Sequence, residues 1–322
     1  MKLLTKNSLK FFLTALFFSL FFMGFSQSLS EAAEYYNSGN DQFSAKDYAT
    51  SIDSYNNCID ACLMLGAQGN DLRAKAEKQL ANAYYKHAIN LYKGKKFDQA
   101  INTFKKAGEQ AKTLGDTKLQ KKALAYVPKV YTSVGLGLIK KKDYPNAMEK
   151  FNKALLLNPK YNKAYYGQGL VYKEKGETEN FKKAFDKVIE IGPEEDKTVI
   201  NSKEIAQNYF ISEGGMAVQK EHYDKAIDLL NSSFSYGDKD ANAYYFIALA
   251  YNGKKQWAKA VEAGNKALEF EKNNKTNIYF VLGNAYQGTG DKLAACNAYK
   301  NVTSGPNVDA AKHQMKEVLK CN

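Results

Sequence analysis

The side chains best equipped for chemistry are few and scattered. Three histidines, His87, His222 and His313, lie far apart. None belongs to an HExxH spacing, which would put two imidazoles and a general base on one helix face. Gly135-x-Gly137 and Gly167-x-Gly169 are fragments of a dinucleotide fingerprint, but both sit in helix-forming runs rather than after a strand. There is no GxxxxGK[ST] loop to cradle a phosphate and no GxSxG elbow to expose a serine. The acidic triplet Glu194-Glu195-Asp196 follows Pro193 as a solvated helix start does. Four cysteines remain. Cys58 and Cys62 stand four apart, the spacing of neighbours on a helix. Cys296 and Cys321 fall on the last two helical runs, where a bridge can pin the terminus; the alternative is that all four fill the core as small apolar residues. Nothing unites a base, a nucleophile and an oxyanion site. The sequence therefore reads as no enzyme, with no cofactor and no metal site.

What recurs is a pattern of sizes. A small residue opens each of seven copies: Gly39, Ala88, Gly135, Gly169, Gly214, Ala248 and Gly283. An aromatic-rich turn follows eight or nine positions later, an Ala or its substitute twelve after the opening, a bulky residue sixteen after, and another small residue nineteen after. Successive openings are 49, 47, 34, 45, 34 and 35 residues apart. The longer gaps hold helix-forming runs (71–92 and 116–134) without Gly- or Pro-rich linkers, so longer helices are expected there. Each copy reads as two helices. Asp47 and Asp143 stand where a carboxylate can accept from the free N–H groups of the second helix. The bulky set (Tyr55, Phe104, Phe151, Phe185, Leu230, Tyr299) faces the small one, as close helix pairing requires. All five prolines lie at expected helix starts or turns.

This pattern resembles the tetratricopeptide repeat, with its small residue, aromatic turn, Ala, bulky residue, Ala and closing Pro. The closing proline is present only as Pro159 and Pro193. Ser51 and Phe181 replace the packing Ala, and Gly264 replaces the bulky residue of the sixth copy. The resemblance implies an all-α right-handed solenoid over 27–322, with units starting near 32, 81, 128, 162, 207, 241 and 276 and a capping helix at 307–320. It also implies a concave groove lined by the first helix of each unit, at its second, fifth, ninth and twelfth positions. The second positions hold Asn82, Lys129, Lys163, Asn208, Asn242 and Asn277; the fifth hold Tyr36, Tyr85, Tyr166, Tyr245 and Phe280. The ninth and twelfth include Asn40, Asn284, Phe43 and Tyr92. Amides beside aromatic rings suit an extended peptide, pairing with its backbone and covering its apolar side chains. The same ladder can equally reflect a chain rich in both residue types. A carboxylate clamp, as some family members use, would need Lys, Asn and Arg; Asn37 and Asn40 are present, but no groove position carries arginine. The expected function is a non-catalytic adaptor that binds a peptide segment or helix of another protein. The alternatives are a self-associating scaffold and a lysine-rich binder of acidic envelope polymer.

The amino terminus sets the expected compartment. Lys2, Lys6 and Lys10 precede an uncharged apolar run from Phe11 to Phe25, and Gly24 and Ser26 are the small residues a signal peptidase reads. Cleavage before Gln27 and export to the periplasm or cell exterior are expected. The competing reading is an anchor, for which fifteen residues are short against the roughly 20 a bilayer asks. The formal charge is +12, or +9 without the three leader lysines, and Arg73 is the only arginine. Lysine is a hydrated point charge that lacks the planar fork matching phosphate, so nucleic acid is a poor partner and acidic proteins or surfaces are better ones.

Overall fold

The protein is described by a computed structural model over residues 28–321, so the amino-terminal run and the expected cleavage point lie outside the described residues. Those residues fold into paired α-helices without a strand, and the chain divides into two compact units between Ala164 and Tyr165. The first unit stacks three hairpins: α1 (Leu29–Ser44) with α2 (Tyr48–Met64), α3 (Asn70–Lys93) with α4 (Phe97–Thr113), and α6 (Tyr126–Lys140) with α7 (Tyr144–Leu157). A short helix, α5 (Thr117–Leu124), precedes the third. The second unit takes up most of α8 (Asn162–Lys175) with α9 (Thr178–Ile191). It continues through α10 (Lys197–Gln219) with α11 (Tyr223–Ser233), α12 (Ala241–Gly253) with α13 (Trp257–Phe270), and α14 (Thr276–Thr289) with α15 (Lys292–Lys300). A last helix, α16 (Val308–His313), runs into one π turn (Gln314–Val318). Within each unit the architecture is an all-α solenoid.

A single size rule locks the hairpins. The opening glycine lies under the bulky side chain sixteen residues on: a Cβ built at Gly39, Gly135 and Gly283 would come within 2.7, 2.6 and 2.5 Å of the rings of Tyr55, Phe151 and Tyr299. Phe185 presses on Gly169 more closely still. All four rings are fully buried. At the sixth hairpin the rule reverses. Gly264 replaces the bulky residue, and Leu282 of the next hairpin fills the space, 2.6 Å from where a Cβ would stand. Ser51 also fits its unusual position, because its buried Oγ donates to the Gly39 carbonyl at 3.0 Å. Phe181 fills its own position with a ring against Phe185 and Tyr209, at centroid distances of 4.6 and 4.2 Å.

The turns carry strain in five hairpins. Lys46, Lys95, Lys142, Glu221 and Lys255 sit at φ of 56–65°, while Gly176 and Gly290 take the same left-handed position in hairpins four and seven. A Cβ is disfavoured there by roughly 1 kcal/mol or more. Lys142→Gly should accordingly stabilise the first unit by up to about 1 kcal/mol, read as a raised urea midpoint at unchanged slope. After the turn, Asp47 accepts from Thr50 N at 3.3 Å and Asp143 from Asn146 N at 3.4 Å, the expected caps.

Two of the long gaps are longer helices, as expected: α3 has 24 residues and α10 has 23. The run at 116–134 instead breaks into α5 and α6. Pro128 lacks the N–H that would bond the carbonyl of Leu124, and its ring would crowd that carbonyl, so α5 ends there. At the other end, Val308, Met315 and Leu319 pack on Tyr299 and Ala295, and a disulfide joins Cys296 to Cys321. Cys58 and Cys62 are instead buried free thiols, 4.0 Å apart.

Candidate interaction surface

The first helices of the second unit present the most open set of expected groove residues. Asn208, Asn242 and Asn277 are exposed at one shared position on α10, α12 and α14. Tyr166 and Tyr245 are half-buried beside them in the repeat, and burial alone raises both phenol pKa values. Tyr166 lies 5.8 Å from Phe185, and Tyr245 lies 5.4 Å from Phe246, ring to ring. Between α8 and α10 runs an open cleft of about 470 Å³, lined by Lys173, Glu174, Ile205, Asn208, Tyr209, Ser212 and Glu213. It offers amide, hydroxyl and both charge signs over an apolar floor. Phe280 is half-buried 5.9 Å from Tyr299, close to the capping segment.

Asn277 Oδ1 already accepts from Asn307 Nδ2 at 3.3 Å, and two further amides accept from phenols. Tyr55 Oη donates to Asn40 Oδ1 at 2.8 Å, and Tyr299 Oη donates to Asn284 Oδ1 at 2.6 Å. These are equivalent positions in the first and seventh hairpins. Where the bulky ring is Phe (104, 151, 185), the residue after the small one is Ile89, Leu136 or Leu170. An amide follows only where a phenol needs an acceptor, so Asn40 and Asn284 hold the fold together.

In the first unit Tyr36 is half-buried against Tyr55, and Phe43 packs on Tyr48 at 5.1 Å. The Asn82 amide nitrogen donates to the Lys78 carbonyl of its own helix. Tyr92 Oη and Ser133 Oγ lie 2.8 Å apart, joining α3 to α6. Lys129 and Lys163 are exposed. Tyr85 departs from the expected groove: it is only 4% exposed. Its ring meets Phe104 and Tyr126, and burial with a hydrogen bond to Tyr126 pushes its phenol up to about 12. The extra helix α5 and the start of α6 cover it.

Models of the tetratricopeptide repeat match residues 82–112, 163–195, 216–275 and 276–304. The chain carries tetratricopeptide repeats. It is similar to Hsp70-Hsp90 organizing protein 3 of Arabidopsis thaliana, 27% identical over 203 residues, which covers 58% of this chain and 34% of that protein. It is also similar to the Hsp70-Hsp90 organizing protein of Triticum aestivum, 28% identical over 199 residues, covering 56% and 32%. The chain thus spans about a third of the length of these curated relatives. Among solved structures it is similar to YrrB, described as a TPR protein with an unusual peptide-binding site. The TM-score there is 0.37 at 20% identity, over 58% of this chain and 91% of that one. A tetratricopeptide repeat protein from Parabacteroides merdae gives 0.30 at 18% identity, over 90% and 99%.

Around these tetratricopeptide hairpins, no group of three or more His, Cys, Asp or Glu converges among the described residues as a metal would need, and no described helix is long and apolar enough to cross a membrane. What residue-by-residue reading missed is the ring cluster between the second and third repeats. Tyr126 stacks on Phe104 at 4.8 Å, and Lys122 and Lys129 lie over the Tyr85 and Tyr126 rings. The signal was in the inserted run itself, where lysines alternate with tyrosine outside the repeat pattern.

Proposed function

We propose that this protein is a non-catalytic adaptor that binds an extended segment or helix of a partner protein through the first-helix faces of its tetratricopeptide repeats, and that it acts outside the cytoplasm. The observation that carries this reading is the row of exposed amides, Asn208, Asn242 and Asn277, at one repeat position, with Asn208 lining the open cleft at α8 and α10. Amides at a regular interval can donate to and accept from a peptide backbone, and preformed helices lose little freedom when they bind. The peptide-binding description of YrrB and the chaperone-organizing names of the plant relatives agree with an adaptor. The amino-terminal leader supports export, with an envelope or secreted protein as the partner.

The test starts from a partner captured by crosslinking in living cells and identified by mass spectrometry. Asn208→Ala, Asn242→Ala and Asn277→Ala together should weaken that partner's binding about tenfold or more, since each lost hydrogen bond contributes roughly 1 kcal/mol. Helical content should not change, because all three side chains are exposed. Unaltered affinity would rule out this face. Unprocessed chain, still carrying residues 1–26 after expression in an exporting host, would rule out the leader reading.

A further inference from the structure

The positive charge of this protein belongs to one of its two units. Residues 27–164 hold 22 Lys and Arg against 13 Asp and Glu, a surplus of nine, whereas residues 165–322 hold 21 of each. The surplus concentrates further in 105–163, with fourteen lysines against four acidic residues. Ion pairs among the described residues engage only Lys150 and Lys153 of those fourteen, both with Glu149. Twelve of the fourteen thus form no ion pair among the described residues, although surface lysines normally sit among mixed charge.

Three of these lysines are seated on aromatic rings. Lys106 Nζ lies 5.9 Å from the Tyr84 centroid, Lys122 Nζ 4.9 Å from Tyr85, and Lys129 Nζ 4.6 Å from Tyr126. The Tyr85 and Tyr126 centroids are themselves 5.9 Å apart, edge to face. Lys122 and Lys129 therefore stand over two touching rings, with their ammonium groups held by ring faces. A ring face orients a cation while leaving its N–H donors available, unlike a carboxylate partner. Lys129 also occupies the same first-helix position as the exposed amides of the second unit. Lys129 thus stands at the repeat position assigned to partner binding.

We propose that the first unit docks an Asp/Glu-rich segment of the partner protein, with Lys122 and Lys129 as its central contacts. The inference rests on the adaptor reading for the polypeptide nature of the ligand; the charge of the ligand comes from this patch. Lysine point charges spread over about sixty residues suit carboxylates on a flexible chain, and phosphate would favour the arginine fork that the patch lacks. The neutral second unit is then left to read uncharged features of the same partner.

The experiment measures binding of the full chain to a fluorescent peptide of roughly 20 residues, two thirds Glu and Asp, between about 50 and 300 mM salt. Binding should be detectable at low salt and fall steeply as salt rises. Lys122→Gln with Lys129→Gln should weaken it about tenfold, from two lost charge contacts. The control is Lys239→Gln with Lys259→Gln, which removes two ring-seated lysines of the neutral unit (over Phe270 and Tyr251) and should change nothing. Equal losses in both pairs, or no binding at the lowest salt, overturn the proposal. So does tight binding of a sulfated polysaccharide of matched charge when the peptide fails. A chain that ignores the acidic peptide yet still captures its partner through the Asn208 face loses this inference alone.

Discussion

Gly135→Ala is expected to destabilise the first unit by roughly 1–3 kcal/mol, the usual cost of forcing extra volume into a packed core. The added methyl would stand 2.6 and 2.8 Å from Phe151 Cε1 and Cζ, well inside contact distance, and Phe151 is fully buried with nowhere to swing. Folded blocks of this size lose about 2–4 °C per kcal/mol, so the thermal transition should fall by several degrees. The rescue is specific. Adding Phe151→Leu to Gly135→Ala should recover part of the loss, and a double-mutant cycle should show coupling between the two sites. Phe151→Leu alone should cost stability by leaving a void. If Gly135→Ala melts with the wild type, or the pair behaves additively, the ring-on-glycine lock is wrong.

The second large effect lies at the carboxyl end. Cys296 and Cys321 close a loop of 25 residues, and removing such a cross-link costs roughly 3 kcal/mol in the chain-entropy account. In a stack of repeats, each element touches only its neighbours, so the loss should stay local. Cys296→Ser should speed hydrogen exchange and proteolysis across 307–321 by about a hundredfold, while α10 and α12 keep their protection. The cap would keep only its apolar contacts, Val308, Met315 and Leu319 on Tyr299 and Ala295. Unchanged exchange over 307–321 would show that these contacts suffice without the bridge.

The hairpins were legible because their signal is steric and local: a small residue and a bulky one sixteen apart set the crossing in every hairpin but the sixth. The carboxylate caps were legible for the same reason, since Asp47 and Asp143 bond groups three residues away. The surface was harder to read. Tyr85 holds the same repeat position as Tyr166 and Tyr245, yet it is covered, because α5 and Tyr126 come from an insertion that the repeat pattern does not describe. Asn40 and Asn284 looked like free amides until their phenol donors were visible, although the pairing of Asn with Tyr in only those two copies was already in the sequence. The charge division was also present in the residues, but it becomes a surplus on one body only once the boundary at Ala164 is known.

Leu282 occupies the space above Gly264, a residue of the preceding hairpin. Rings also seat on glycines across hairpins at Tyr223 on Gly253, Phe246 on Gly215 and Trp257 on Gly288, whereas the rings of Tyr55, Phe151, Phe185 and Tyr299 lie on glycines of their own hairpins. The fifth, sixth and seventh hairpins thus share sockets with one another. A shortened chain that splices out 241–275 loses the glycines beneath both Leu282 and Tyr223 and should melt early from its carboxyl end.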